Sequence, residues 1–168
     1  MQNALKSLCK TFPRYQDNLR LAAFKATTPM LLFSGPKVLR VDVQETVIRM
    51  PLKWFNSNSW GTMFFASIAA GIDLCGGFYS FVEAEKSNLG VLYKDVNIEF
   101  KRRVDGDLTL VALSNSAIKE ACNRAVCSGK RVNVPIRVEG YCYETFGKDN
   151  PVVSASATLS IKRLAKQG

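Results

Sequence analysis

The stretch from Gly61 to Phe81, GTMFFASIAAGIDLCGGFYSF, constrains the fold more than any other part of the chain. Its only polar side chains are those of Thr62, Ser67, Asp73, Tyr79 and Ser80. A helix apolar on nearly every face has to be buried, either in a protein core or in a bilayer. Its length approaches the ~20 residues that a bilayer span needs. The acid Asp73, the Gly76-Gly77 pair and the amphipathic segments on either side favour a core helix and argue against a transmembrane segment. An unpaired ionised carboxylate in a buried helix is costly, and the usual escapes are a raised pKa, a hydrogen-bonding partner or water in a cleft. Two roles for Asp73 stay open at this point: a structural acid that fixes packing register, or a functional one.

Outside this stretch the pattern changes to a period of two. KVLRVDV and TVIRMPL, separated by a short QE, predict an antiparallel hairpin. VLYKDVNIEFKRRV and LTLVAL, separated by DGD, predict a second, and KRVNVPIRVEGYCYET and PVVSASATLSIKRL, joined through FGKDN, a third. SNSAIKEACNRAVCSG reads as a helix capped by Ser114 or Asn115, with Ala117, Ile118, Ala121, Ala125 and Val126 on its apolar side and Gly129 closing it. At the start, Leu5, Leu8 and Phe12, then Tyr15, Leu19 and Ala22, fall at helical intervals, with Pro13 between two helices. Thr28-Pro29 opens a further helix that stops at Gly35. Lys6, Lys10 and Arg14 leave two readings of this region, a helix covering the domain or one lying on a membrane surface. The sum is an α+β chain, an open antiparallel sheet of about six strands wrapped around a long central helix. That is the outline of a hotdog fold. One domain is expected over residues 1–168, with a helical extension over 1–35 and the core over 36–168.

Composition narrows the chemistry. The chain has no histidine, which removes Ser-His-Asp and Cys-His catalysis and the commoner histidine-containing metal sites. Acid-base work then falls to carboxylates, lysines, tyrosines or cysteines. Cys9, Cys75, Cys122, Cys127 and Cys142 are an odd set without paired spacing, and Cys122 and Cys127 have no second pair to complete four ligands, so no metal is expected. With no cleavable signal before them, a reducing compartment, the cytoplasm, is the expected location. The net charge of +9 favours a polyanionic partner: nucleic acid, an anionic membrane or a phosphorylated cofactor. The basic residues are scattered and not interleaved with aromatics on one strand face, which argues against nucleic acid.

The helix mouth resembles the hotdog thioesterase superfamily, especially the phenylacetyl-CoA type and a related branch known as a thioesterase-like domain. The family pattern is N-x-x-G-T-x-H-G-G with an Asp nine residues after the His. Asn58, Gly61 and Thr62 stand in their places, Phe64, Phe65 and Ala66 occupy the H-G-G positions, and Asp73 lies where the acid belongs. A second family signature, F-x-R-P followed by G-D, is echoed by Phe100, Arg102, Gly106 and Asp107, with Arg103 in place of the Pro. The resemblance runs from Val38 to the end and leaves the N-terminal helices outside.

It implies hydrolysis of an acyl-CoA or acyl-carrier thioester, with coenzyme A as part of the substrate and no other cofactor. Asp73 would be the general base, and the Phe65 backbone amide would stabilise the oxyanion. Along one helix these two are ~12 Å apart, whereas catalysis needs both beside one reacting centre. The family solves this with a homodimer of antiparallel central helices, so a homodimer is expected here, or a tetramer built from such dimers. Phe64, Ala66, Gly61 and Thr62 would line the substrate site, and Asn58 would position water or the pantetheine arm, unless it is only a turn residue. Asn97 is either a partner of the acid or water, or an exposed strand residue. Lys101, Arg102 and Arg103, with Lys130 and Arg131, either meet the phosphates of coenzyme A or form a solvated basic edge. Phe64, Phe65 and Ala66 in place of His-Gly-Gly also keep open a non-catalytic acyl-thioester or lipid binder.

Overall fold

The computed structural model describes residues 16–164. The expected first helix, with Leu5, Leu8, Phe12, Lys6, Lys10 and Arg14, lies outside the described residues, as does Cys9. Two helices open the described chain, α1 (Gln16–Thr27) and α2 (Met30–Ser34). Gly35 stops α2 in a left-handed conformation, φ +61°, which a residue without Cβ adopts at little cost. Strands β1 (Lys37–Val41) and β2 (Thr46–Met50) form the expected hairpin. Its turn is held by Asp42, whose carboxylate accepts the N–H groups of Gln44 and Glu45 and pairs with Arg40.

The long helix α3 runs from Phe65 to Ser87 and is followed by β3 (Leu89–Phe100) and β4 (Leu108–Ala112). Helix α4 (Asn115–Ser128), β5 (Val132–Tyr141), the short α5 (Tyr143–Phe146) and β6 (Val153–Arg163) complete the order. All six strands join one antiparallel sheet in the order β1-β2-β4-β5-β6-β3. This is the hotdog arrangement expected from the sequence.

One predicted pairing fails. β3 and β4 do not form a hairpin: β3 pairs only with β6, at the far edge, while β4 sits between β2 and β5. The intervening residues 101–107 are a crossing and not a tight turn. The Lys101 and Arg102 N–H groups bond to the Val152 carbonyl, and the Val104 carbonyl accepts the Met63 N–H beneath the start of α3. Leu108, Leu110 and Ala112 are then fully buried in the middle of the sheet, which an edge hairpin would not allow.

The core lies between α3 and the inner sheet face. Helix α3 is long and apolar enough to cross a bilayer, but two thirds of its most apolar window is buried inside the fold. The sheet approaches it closely at glycines. A Cβ on Gly71 would stand 2.7 Å from Leu110 Cδ1, and one on Gly76 2.6 Å from Ile136 Cδ1 and 2.8 Å from Tyr93 Oη. Helix α4 packs over the second half of the inner face through Ile118, Ala121, Cys122 and Ala125. Ala117, expected on that apolar side, is exposed. Neither Ser114 nor Asn115 caps α4 with its side chain. The Ser114 hydroxyl accepts the Arg137 N–H, while the buried Asn115 amide donates to the Asp42 carbonyl (2.7 Å) and the Thr46 hydroxyl (2.9 Å), tying α4 to the first hairpin.

Candidate active site

The loop that delivers the chain into α3 is folded by its own polar groups. The Asn58 side-chain carbonyl accepts the N–H groups of Trp60 (2.9 Å) and Thr62 (3.2 Å), and its NH₂ donates to Thr62 Oγ1 (2.8 Å). Gly61 supplies φ +74° at the tip. Asn58, Gly61 and Thr62 thus form one turn, and the Asn58 amide is engaged on both its polar atoms in building it. Asn56, a residue that no sequence pattern marked, is buried and pins the base of the loop. Its amide donates to the Pro51 carbonyl (2.9 Å) and accepts the Lys53 N–H (2.7 Å).

Phe64 is the N-cap residue of α3 and contributes no side-chain acceptor. Its carbonyl accepts from Ser67 and Ile68. The amides of Phe65 and Ala66 therefore stand at the positive end of the helix dipole with no capping side chain. The Phe64 and Phe65 side chains are about half exposed, and the Phe65 ring meets Phe100 edge-on at 6.0 Å between centroids. A hollow of about 450 Å³ opens here, and its lining includes Asn58, Thr62, Phe65, Lys101, Arg102 and Arg103. The structure thus brings Asn58, Thr62 and Phe65 of the helix mouth together with the basic cluster, while Gly61, Phe64 and Ala66 do not line the hollow. Arg102 donates to the Pro151 carbonyl (3.0 Å) and Arg103 to the Trp60 carbonyl (3.2 Å), while Lys101 is exposed. Asp107 of the second signature has a structural place, accepting the Leu52 N–H (2.8 Å) and pairing with Arg49 (2.7 Å).

Asp73 is not buried as the sequence pattern predicts. Phe65, Ala69, Asp73 and Gly77, at intervals of four, line the one face of α3 that its own sheet leaves uncovered, and Asp73 is exposed on it. Solvent reaches its carboxyl group, yet surrounding protein removes enough hydration to raise its pKa above the usual aspartate value. It stands at the edge of an apolar cavity of about 390 Å³, lined among others by Phe24, Leu31, Phe78, Phe81, Val91 and Tyr93.

Two contributors to that cavity escape the sequence reading. One is Tyr93, whose hydroxyl donates to the Asp73 backbone carbonyl (2.8 Å) and whose ring lies against the Gly76-Gly77 step. The glycine pair is the only sequence signal for such a close neighbour. The other is the N-terminal region, where Phe24 packs on Phe81 at 4.2 Å and on Phe78 at 5.9 Å between ring centroids. The family resemblance stops short of that region.

The site residues do not all meet. Asn97 pairs with Ser156 on the outer face of the sheet, away from α3, since its neighbours Val96 and Ile98 oppose the inward Ala157 and Ala155. Asp73 and the Phe65 amide belong to different hollows, ~12 Å apart along one helix. Lys130 and Arg131 lie at the start of β5, where Arg131 donates to the Ser160 hydroxyl (2.7 Å). A larger hollow of about 710 Å³ lies on the outer sheet face among Asp95, Arg137, Glu139, Ser156 and Thr158. It holds neither the acid nor the helix mouth. No group of three or more potential metal ligands is found among the described residues, and the Cys122 thiol, pushed up to about 11 by burial, stays protonated.

The family model described as a domain of unknown function, DUF4442, matches residues 17–161. No curated protein sequence matches the chain. Among solved structures, a protein from Shewanella oneidensis provisionally assigned as a thioesterase superposes with a TM-score of 0.67 at 19% identity, covering 98% of this chain and 100% of that one. A thioesterase family protein from Silicibacter pomeroyi superposes at 0.64 and 13% identity, covering 88% and 99%. A thioesterase from Haemophilus influenzae gives 0.61 at 13% identity over 83% and 87%. At such identities the likeness establishes the shared hotdog fold.

Proposed function

The chain belongs to the DUF4442 family, and from that premise we propose that it is an acyl-CoA thioesterase whose site forms between two copies of the chain. The observation that carries this reading is the uncovered stripe of α3. It presents a carboxylate at the edge of an apolar cavity and, two helical turns away, uncapped amides at the helix start. Two antiparallel α3 helices bring the Asp73 of one protomer beside the Phe65 amide of the other. The edge strand β3, with Leu92, Val96 and Phe100 exposed, supports the same pairing.

In this site the acyl chain occupies the cavity under α1 and α2. The Asp73 carboxylate takes a proton from water as its oxygen attacks the thioester carbonyl carbon. The resulting oxyanion accepts the partner's Phe65 N–H. Collapse breaks the carbon–sulfur bond, and the leaving thiolate takes the proton back from Asp73. Lys101, Arg102 and Arg103 at the helix mouth attract the phosphates of coenzyme A. The neighbouring thioesterase structures, and free cysteines at 75, 122, 127 and 142 that suit a reducing cytoplasm, support the reading. Turnover of an acyl-CoA panel, with dimerisation followed by sedimentation, tests it. Asp73→Asn abolishes hydrolysis while the dimer persists, and unchanged turnover rejects the role of the acid.

A second reading, a non-catalytic acyl-thioester or lipid-binding hotdog protein, is favoured by the aromatic side chains at the helix mouth, where Phe65 packs on Phe100. It predicts saturable acyl-CoA binding without turnover, insensitive to Asp73→Asn.

A further inference from the structure

The chain has two tryptophans, and both stand in solvent: Trp54 is 86% exposed and Trp60 81%. Tryptophan carries one of the largest apolar surfaces of any side chain, and leaving both exposed forgoes that burial unless something outside the protomer covers them. They sit on a single projection, residues 51–64, which also exposes Phe55, stacked edge-on against Trp54 at 5.6 Å. The projection is a built feature, held by the Asn56 and Asn58 hydrogen-bond sets. Its base is joined to the end of α2 through the Asn56 amide, 3.4 Å from the Ser34 carbonyl. Helix α2 turns Leu31 and Ser34 inward and leaves Leu32 and Phe33 58% and 66% exposed.

The charge around these side chains is predominantly positive. Residues 28–37 and 51–64 contain Lys37 and Lys53 and no acid, and the adjoining crossing brings Lys101, Arg102 and Arg103, the last bonded to the Trp60 carbonyl, against Asp105 and Asp107, of which Asp107 is paired with Arg49. The net charge of +9 adds a field of the same sign. Exposed indole rings beside lysines and arginines match the two layers of a bilayer surface. The rings favour the headgroup level and the cations favour anionic headgroups. We propose that this projection and the outer side of α2 form a docking surface for an anionic lipid bilayer. The inference does not depend on the thioesterase reading.

Because both tryptophans lie on the projection, intrinsic fluorescence reports its environment directly. Phosphatidylglycerol-containing vesicles are expected to shift the emission to shorter wavelength, brominated acyl chains to quench it, and pure phosphatidylcholine or high salt to abolish both effects. Trp54→Ala/Trp60→Ala, followed by co-sedimentation, lowers partitioning by about tenfold or more. Lys53→Gln, which removes one cation and keeps both reporters, lowers it by about fivefold. Hydrolysis of a soluble short-chain thioester by the double variant stays at its wild-type level, so loss of docking and loss of the proposed activity are read separately. The proposal is overturned if anionic vesicles leave the emission unchanged, if neutral vesicles act equally well, or if the shift follows protein concentration alone, as burial against a second copy would produce.

Discussion

Two adjacent glycines in α3 give opposite expectations for the same substitution. At Gly76 an added Cβ would lie 2.6 Å from Ile136 Cδ1 and 2.8 Å from Tyr93 Oη, both closer than real Cβ contacts allow. The tyrosine ring cannot swing aside freely, because its hydroxyl is bonded to the Asp73 carbonyl at 2.8 Å. Overpacking of this kind costs ~1–3 kcal/mol, and weakening the hydrogen bond adds ~0.5–1.5 kcal/mol. The better helix propensity of alanine returns ~1 kcal/mol. The net for Gly76→Ala is therefore a loss of about 2 kcal/mol, or roughly 4–8 °C in Tm for a chain of this size. At Gly77 the nearest atom to a Cβ is Tyr93 Oη at 3.4 Å, an ordinary contact, so Gly77→Ala keeps most of the propensity gain, up to ~1 kcal/mol within the protomer. Urea and thermal unfolding at matched protein concentration measure both, since the stability of an oligomer depends on concentration. A Gly76→Ala protein as stable as wild type would refute the close helix–strand approach on which the position of Tyr93 rests.

The raised pKa of Asp73 makes its own prediction. The folded chain holds the proton at pH values where the unfolded chain has lost it, so this group lowers stability as pH rises from the ordinary aspartate range through the raised value. Asp73→Asn removes that fall: the variant is the more stable at neutral pH, and the gap closes on acidification below the ordinary range, as pH-dependent unfolding will record. If Asp73 is the base, the acid limb of a pH–kcat profile sits above that of an unperturbed aspartate. Asn115→Ala strands the buried Thr46 hydroxyl and the part-buried Asp42 carbonyl and costs ~1–3 kcal/mol by urea unfolding. Asp107→Asn keeps an acceptor for the Leu52 N–H and loses only a half-exposed ion pair with Arg49, at most ~1 kcal/mol, whereas Asp107→Ala loses both and unfolds at lower urea.

The features legible in the sequence are those that local chemistry dictates. The apolar run announced α3, alternating strands announced the sheet, and Gly35 and Gly129 marked helix ends that the chain closes in the left-handed conformation. The hotdog outline follows from these alone, because one long helix without a polar face leaves an open sheet few ways to cover it. What the sequence misplaced depends on contacts between distant segments. The short DGD sequence suggested that β3 turns back on β4, yet the Met63 and Val152 bonds carry the chain across to the middle of the sheet. A helix apolar all round carries no mark of which face stays open. Only the wrapped sheet shows that Phe65, Ala69, Asp73 and Gly77 are the stripe left uncovered. The same holds for the cavity beside Asp73, whose walls come from α1, α2 and Tyr93. Sequence determined that this chain has a central helix with one acid, Asp73, inside its apolar run, since burial and propensity act over a few residues. Tertiary structure decided what that acid faces, since that depends on how segments far apart in the chain pack around the helix.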